Sequence, residues 1–225
     1  MNDLENITLC LTIGKRPLEL EQSLKSLLSH LDFQAIIAIN DFGDQQTDEV
    51  FLDCCPNGKL INLHKNIGHH KAVDYMYNHV KTDYIFHSED DWFFDDVPNL
   101  NNAISLLQEN NKISCVGFRK IDDFIYDEQS KQKIEKIDTK IGDYVKMNKL
   151  HQQWHGYSFN PHLARKSLWE QFAPFSQFKK ERHISRFLRK EGYYMAYLQN
   201  GICYHIGYNS VSNPPKNLWQ RLKFW

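Results

Sequence analysis

TDYIFHSEDDWFFDD (residues 82–96) runs an apolar, β-prone segment straight into a crowd of acids. Half of residues 87–96 are Asp or Glu. Like charges side by side repel one another and desolvate poorly, so Glu89, Asp90 and Asp91 at the mouth of a buried strand need compensation. Acids in that position commonly hold a divalent cation through oxygen ligands. The competing reading is a solvated loop or a helix cap. It explains Asp95 and Asp96, which precede a helix predicted around residues 97–110, better than it explains the first three acids.

Outward from this stretch the first half of the chain alternates strand and helix signals. ITLCLTI (7–13), AIIAI (35–39), KLINL (59–63), DYIFH (83–87) and ISCVGF (113–118) read as strands. LELEQSLKSLLSHL (18–31) places Leu20, Leu24, Leu27, Leu28 and Leu31 on one helical face, and Ala72, Val73, Met76, His79 and Val80 recur at helical spacing after Gly68. Alternation of this kind predicts an α/β fold with right-handed crossovers and a mixed, mostly parallel sheet. Ligands of such sheets bind beyond the carboxyl ends of the strands. Thr12, Asp41, Asn66 and Glu89–Asp91 all fall there.

Beyond residue 119 the pattern loosens. Residues 119–150 are polar and read as a meander or loop. WHGYSFN (154–160) reads as a strand or turn leading into a helix at PHLARKSLWEQF, and KKERHISRFLRKEG (179–192) as a helix ended by Gly192. YYMAYL and ICYHI are short strands. No Pro/Gly-rich linker divides the chain. The expectation is one domain over residues 1–225, made of two halves (1–118 and 119–206) and a basic, aromatic tail (207–225).

With 225 residues, 41% hydrophobic and 24% charged, the chain has the composition of a soluble globular domain. A net charge of -1 gives no global attraction to nucleic acid, so no nucleic-acid partner is expected. Five cysteines without a C-x-x-C pair suit a reducing compartment. The first residues lack the basic start of a signal peptide, and no apolar run approaches the ~20 residues of a membrane span. These features predict a cytoplasmic protein. The tail NPPKNLWQRLKFW either rests on the inner face of a membrane or packs its aromatics on the domain.

Taken in order, the motifs resemble the nucleotide-sugar-dependent glycosyltransferases of the GT-A fold, both the family 2 type and the N-acetylglucosaminyltransferase I type. LTIGKRP is similar to the first strand and its nucleotide-facing loop, which carries Arg16. AINDFGD is similar to the second strand, whose terminal acid, here Asp41, contacts the base. LHKNIGHHKAV is similar to the segment near the nucleotide, and HSEDDW to the metal-binding motif that ends the fourth strand. The resemblance implies a UDP-sugar or similar donor at Thr12, Arg16, Asp41, Asn66, His69, Lys71, Glu89 and Asp90. It implies Mn²⁺ or Mg²⁺ on Asp91, with His205 of CYHIG reaching the metal or phosphates. It further implies a glycan or glycolipid acceptor, such as lipopolysaccharide or capsule, at Trp154, His155 and Gly156 of WHGYS. Glu181 matches the family's base and implies inverting transfer, whereas Arg182 stands where the family often has aspartate.

Two other enzyme readings use the same residues. Sugar nucleotidyl transfer also needs an α/β sheet and carboxylate-bound metal, with TIGKRP as its phosphate loop. HHKAVD (69–74) matches the H-H-x-x-x-D pattern of acyltransferases without the glycine that normally follows. A non-enzymatic reading, a catalytically inactive sugar-binding module, is favoured by Arg182.

Overall fold

The structure is a computed structural model that describes residues 3–124 and 127–207. In chain order its elements are β1 (Ile7–Ile13), α1 (Pro17–Leu28), β2 (Ala35–Asn40), α2 (Gln45–Cys54), β3 (Lys59–Asn62), α3 (His69–Tyr77), β4 (Tyr84–Glu89), β5 (Trp92–Phe94), α4 (Leu100–Glu109) and β6 (Ile113–Gly117). There follow α5 (Glu128–Lys131), β7 (Glu135–Lys136), β8 (Tyr144–Lys146), β9 (His162–Arg165), α6 (Lys166–Phe172), α7 (Glu181–Lys190), β10 (Tyr194–Leu198) and β11 (Cys203–His205).

One nine-stranded sheet has the order β3-β2-β1-β4-β9-β6-β10-β8-β7, and β11 pairs with β5 in a small second sheet. Within the large sheet only β9 and β8 run against the other strands, so the sheet is mixed and mostly parallel as the alternation implies. Helices cover both faces, which is why β1 is buried on both phases along almost its whole length. Ile7, Leu9, Leu11 and Ile13 face α1, α2 and α4, where Leu20, Leu24, Phe51 and Leu107 are buried. Cys10, on the alternate phase, faces the layer of α3, α6 and α7 with Val73, Met76, Trp169 and Leu188. Each fully buried aliphatic side chain contributes roughly 1.5–3 kcal/mol.

Several elements differ from the sequence expectations. The crossover from β2 to β3 contains α2, opened by Asp44, whose side chain accepts from the Thr47 amide. Residues 162–172 are not one helix. HLAR forms β9, antiparallel between β4 and β6, and the helix begins only at Lys166. Two strand edges that would otherwise be unpaired there gain ladder partners, and this outweighs local helix propensity. Asp95 and Asp96 do not begin the next helix. Asn99 caps α4 by accepting from the Asn102 amide at 3.0 Å, while Asp95 pairs with Lys120. WFF forms β5, and the 119–150 region folds into α5 and the edge strands β7 and β8. Helix α3 stops at Tyr77, so His79 and Val80 lie just past it. The tail from residue 208 lies outside the described residues.

The carboxyl ends of β1, β2, β4, β6 and β10 meet at one edge of the sheet. Because β9 runs the other way, the segment 154–161 that feeds it arrives at the same edge. That one reversal brings the second half of the chain to the acids of β4.

Candidate active site

At the end of β4, Asp90 and Asp91 are 5% and 3% exposed, so their charges depend on protein partners. The Gly14 amide donates to Asp90 Oδ2 at 2.9 Å, and Arg16 Nη1 donates to Asp90 Oδ1 at 3.0 Å. The same guanidinium contacts Asp91 Oδ2, which also lies 3.0 Å from His205 Nε2. Pairing of β5 with β11 puts His205 opposite Trp92 and so beside Asp91. The Ile206 amide closes the arrangement on the Asp91 carbonyl at 2.8 Å. Gly207 follows, and any side chain there would press on the Asp91 carboxylate. Burial, then the neighbouring Asp91, push the Asp90 carboxyl up to about 7 against the opposing pull of Arg16. Glu89 is raised well above the carboxylate range by burial, then by Asp91, Glu181 and Asp90. The acids thus have a counter-cation of their own, Arg16, which the sequence suggested only as a donor contact.

The residues expected on the donor side lie at or near the same edge. Thr12 is in register with Glu89 across β1 and β4. Asn40, fully buried, shapes the turn after β2 by accepting from the Phe42 and Gly43 amides, both at 3.0 Å. This sets Asp41 to accept the Gly68 amide at 3.2 Å, with its carboxyl raised by burial. Asn66 and Lys71 are exposed on either side of the start of α3. His69 opens that helix with Nε2 4.0 Å from Glu89 Oε1 and its ring edge-on to Phe159, 4.7 Å between centroids. Burial, then His70, lower it to about 4, so it is a neutral imidazole at pH 7. His70 Nδ1 lies 2.7 Å from the Phe178 carbonyl. Asp74 accepts from Trp169 Nε1 (2.9 Å) and from the Phe175 and Ser176 amides (both 2.8 Å). The acid of the acyltransferase-like pattern is thereby used to anchor the chain before α7.

A cavity of about 540 Å³ opens where the start of α7 meets the 154–160 segment, with Arg119, Trp154, Ser158, Glu181 and Tyr197 in its wall and none of the β4 acids among its lining residues. Glu181, in the first turn of α7, accepts from Ser158 Oγ at 2.7 Å and from the Phe159 amide at 3.1 Å. Burial raises its carboxyl above the usual range despite those bonds. His155 also lines the cavity and holds a left-handed φ of 68°, with Nδ1 3.0 Å from Tyr197 Oη. Burial lowers it to about 4. Gly156 is buried against α7 instead. Its amide donates to Ser185 Oγ at 2.8 Å, and an added Cβ would overlap Ser185 O and Arg189 Cγ. Arg182 is exposed. Arg119, Ser158 and Tyr197 escape a sequence reading because only tertiary packing gathers them; the serine's place beside the Trp154–Gly156 motif is the one local signal.

Among the described residues no group of three or more His, Cys, Asp or Glu is gathered as a metal cluster. Asp91 Oδ2 and His205 Nε2 nevertheless converge on each other. A carboxylate oxygen plus an imidazole fits a divalent ion that takes its remaining ligands from substrate phosphates and water. No helix among the described residues is long and apolar enough to cross a membrane.

Comparison with known proteins gives a family. No curated protein matches the sequence. Among solved structures the chain is similar to the mannosyltransferase PcManGT from Pyrobaculum calidifontis in complex with GDP-Man and Mn²⁺, with a TM-score of 0.62 and 11% identity over 89% of this chain and 56% of that one. Similar too are residues 1–349 of S. aureus TarS (TM-score 0.61, 12% identity, 89% of this chain and 60% of that one). GalNAc-T7 with UDP, GalNAc and Mn²⁺ is a third (TM-score 0.63, 12% identity, 93% of this chain and 45% of that one). The chain spans between 45% and 60% of these three solved chains, and at such identities the likeness is one of fold, GT-A. The model of glycosyl transferase family 2 matches residues 10–172, from β1 through α6, and the chain belongs to that family.

Proposed function

We propose that the chain transfers a sugar from a nucleotide sugar, UDP-linked in the first instance, to a hydroxyl of a glycan or glycolipid acceptor, with inversion and with Glu181 as base. The observation that carries this reading is the position of Glu181. It lines the cavity, and its charge helps to raise the Glu89 carboxyl, so a base stands within electrostatic reach of the β4 acids. Single displacement needs a carboxylate to take the acceptor proton and a charged surface at the leaving diphosphate.

In this reading Asp41 and Thr12 mark the nucleoside end of the site, with Asn66, His69 and Lys71 along the diphosphate. Ser158 and the Phe159 amide hold Glu181 by one oxygen and orient the other toward the acceptor. Its raised pKa makes it a stronger base once ionised. Trp154 and His155 supply an aromatic wall for a sugar ring. A divalent cation, Mn²⁺ or Mg²⁺, on Asp91 and His205 would neutralise charge on the departing nucleoside diphosphate. The fold shared with the complexes named above, one with GDP-Man and one with UDP, supports a nucleotide sugar as the donor. The basic, aromatic tail would bring the protein to a membrane-borne acceptor.

The test is a panel of UDP- and GDP-sugars incubated with Mn²⁺ while nucleotide release and product stereochemistry are followed. Turnover of one donor with an inverted product supports the proposal. Failure of every nucleotide and nucleotide sugar to raise the melting temperature in the presence of Mn²⁺ overturns it.

A further inference from the structure

Arg16 occupies the place where a metal-binding carboxylate would have to be free. Its Nη1 bridges Asp90 Oδ1, at 3.0 Å, and Asp91 Oδ2, the oxygen that also faces His205 Nε2. The guanidinium side chain is 15% exposed and the two carboxylate side chains 8% and 4%, so the three groups form a largely buried charge cluster. The backbone beneath it is fixed. The Arg16 carbonyl accepts the first helical amide of α1 from Leu20 at 2.9 Å, and the neighbouring Lys15 amide donates to Asp44 Oδ1 at 2.8 Å. Movement of the guanidinium therefore falls to its long, rotamer-rich side chain.

A guanidinium and a divalent cation cannot both lie against Asp91 Oδ2 without strong repulsion. A planar guanidinium displaced from carboxylates has a natural second partner in a diphosphate, whose oxygens match its fork of donors. We infer that Arg16 is an exchangeable counter-cation: it neutralises Asp90 and Asp91 while the site is empty and moves to the donor diphosphate when metal binds. Metal and nucleotide then bind cooperatively through Arg16, and Asp91 is never left without a cation. This inference rests on the donor and metal reading above and assigns Arg16 a linking role within it. Binding free energies are reciprocal in such a linkage, so each ligand raises the affinity of the other by one factor.

The experiment is Mn²⁺ titration of the full chain, followed by the electron paramagnetic resonance signal of free Mn²⁺, with and without UDP or GDP. Wild type, Arg16→Gln, Arg16→Lys and Asp91→Asn are compared, with thermal melts as the check on folding. Arg16→Gln should bind Mn²⁺ alone about 10-fold more tightly than wild type, because nothing has to leave Asp91. The enhancement of Mn²⁺ affinity by nucleotide should shrink by a similar factor. Arg16→Lys, which keeps a cation, should lie between the two and serves in place of Arg16→Gln if that variant does not fold. Asp91→Asn should lose Mn²⁺ in every condition.

Equal or weaker binding of Mn²⁺ alone by Arg16→Gln overturns the inference, as does an undiminished nucleotide enhancement or a normal titration in Asp91→Asn. Failure of the wild type to bind any nucleotide in the presence of Mn²⁺ counts instead against the proposed function. The comparison of Mn²⁺ alone would still report on Arg16.

Discussion

Glu181 and Asp90 show how residue environment sets the chemistry. Glu181 is held by Ser158 and the Phe159 amide yet raised by burial, so its base form appears only above the usual carboxylate range. The limb of the pH–rate profile that rises with pH should reflect this group, and Glu181→Gln should lower kcat by at least about 100-fold while leaving nucleotide-induced thermal stabilisation intact. Asp90 makes a different contribution, to stability. Its folded pKa, about 7, lies above the ordinary value of 3.8, so folding favours its protonated form. Stabilisation from that preference is present below about pH 4 and is lost as pH rises to about 7. In metal-free protein the melting temperature of Asp90→Asn minus that of wild type should therefore increase between about pH 4 and 7 and then level off. A difference that is flat with pH contradicts this assignment. Both acids can be named from sequence, Asp90 from its place at the end of a strand and Glu181 from its place in the motif order. Their partners cannot, since Gly14, Arg16 and Ser158 reach them only across the fold.

Among the elements, α7 and the segment before β9 are tied together by side-chain hydrogen bonds to backbone. Gly156 lies against α7 with its amide on Ser185, and Arg189 of the same helix donates to the carbonyls of Asn148, Trp154 and His151. Gly156→Ala should cost about 1–3 kcal/mol in urea unfolding, because a methyl group there meets helix backbone that cannot yield. Ser185→Ala, which leaves two buried amides without their shared hydroxyl, should cost about 1–3 kcal/mol. Strands β1, β2, β3, β4 and β6 are legible because each is a short, β-prone and mostly apolar run closed by a turn. β9 is not. Its four residues follow Pro161 and lead directly into helix-prone sequence, and only the empty place between β4 and β6 makes them a strand. α2 leaves a faint signal for a simpler reason: its apolar stripe is narrow, with Phe51 its one buried aromatic.

Across the whole molecule, the sheet order explains why one edge gathers residues from both halves of the chain. Reversal of β9 returns the 154–161 segment to the carboxyl ends of β4 and β6, and the pairing of β11 with β5 returns His205 to Asp91. Family membership follows from the match over residues 10–172, whereas Glu181 and His205 lie beyond that span and the roles proposed for them rest on geometry alone. The most direct test of the account compares wild type, Glu181→Gln and Asp91→Ala for nucleotide release from UDP- and GDP-sugars with Mn²⁺. The account predicts turnover of at least one donor by wild type, with Glu181→Gln still stabilised by nucleotide but slowed about 100-fold or more and Asp91→Ala deprived of its response to Mn²⁺. Wild-type turnover matched by Glu181→Gln, or undiminished Mn²⁺-dependent activity in Asp91→Ala, would contradict it.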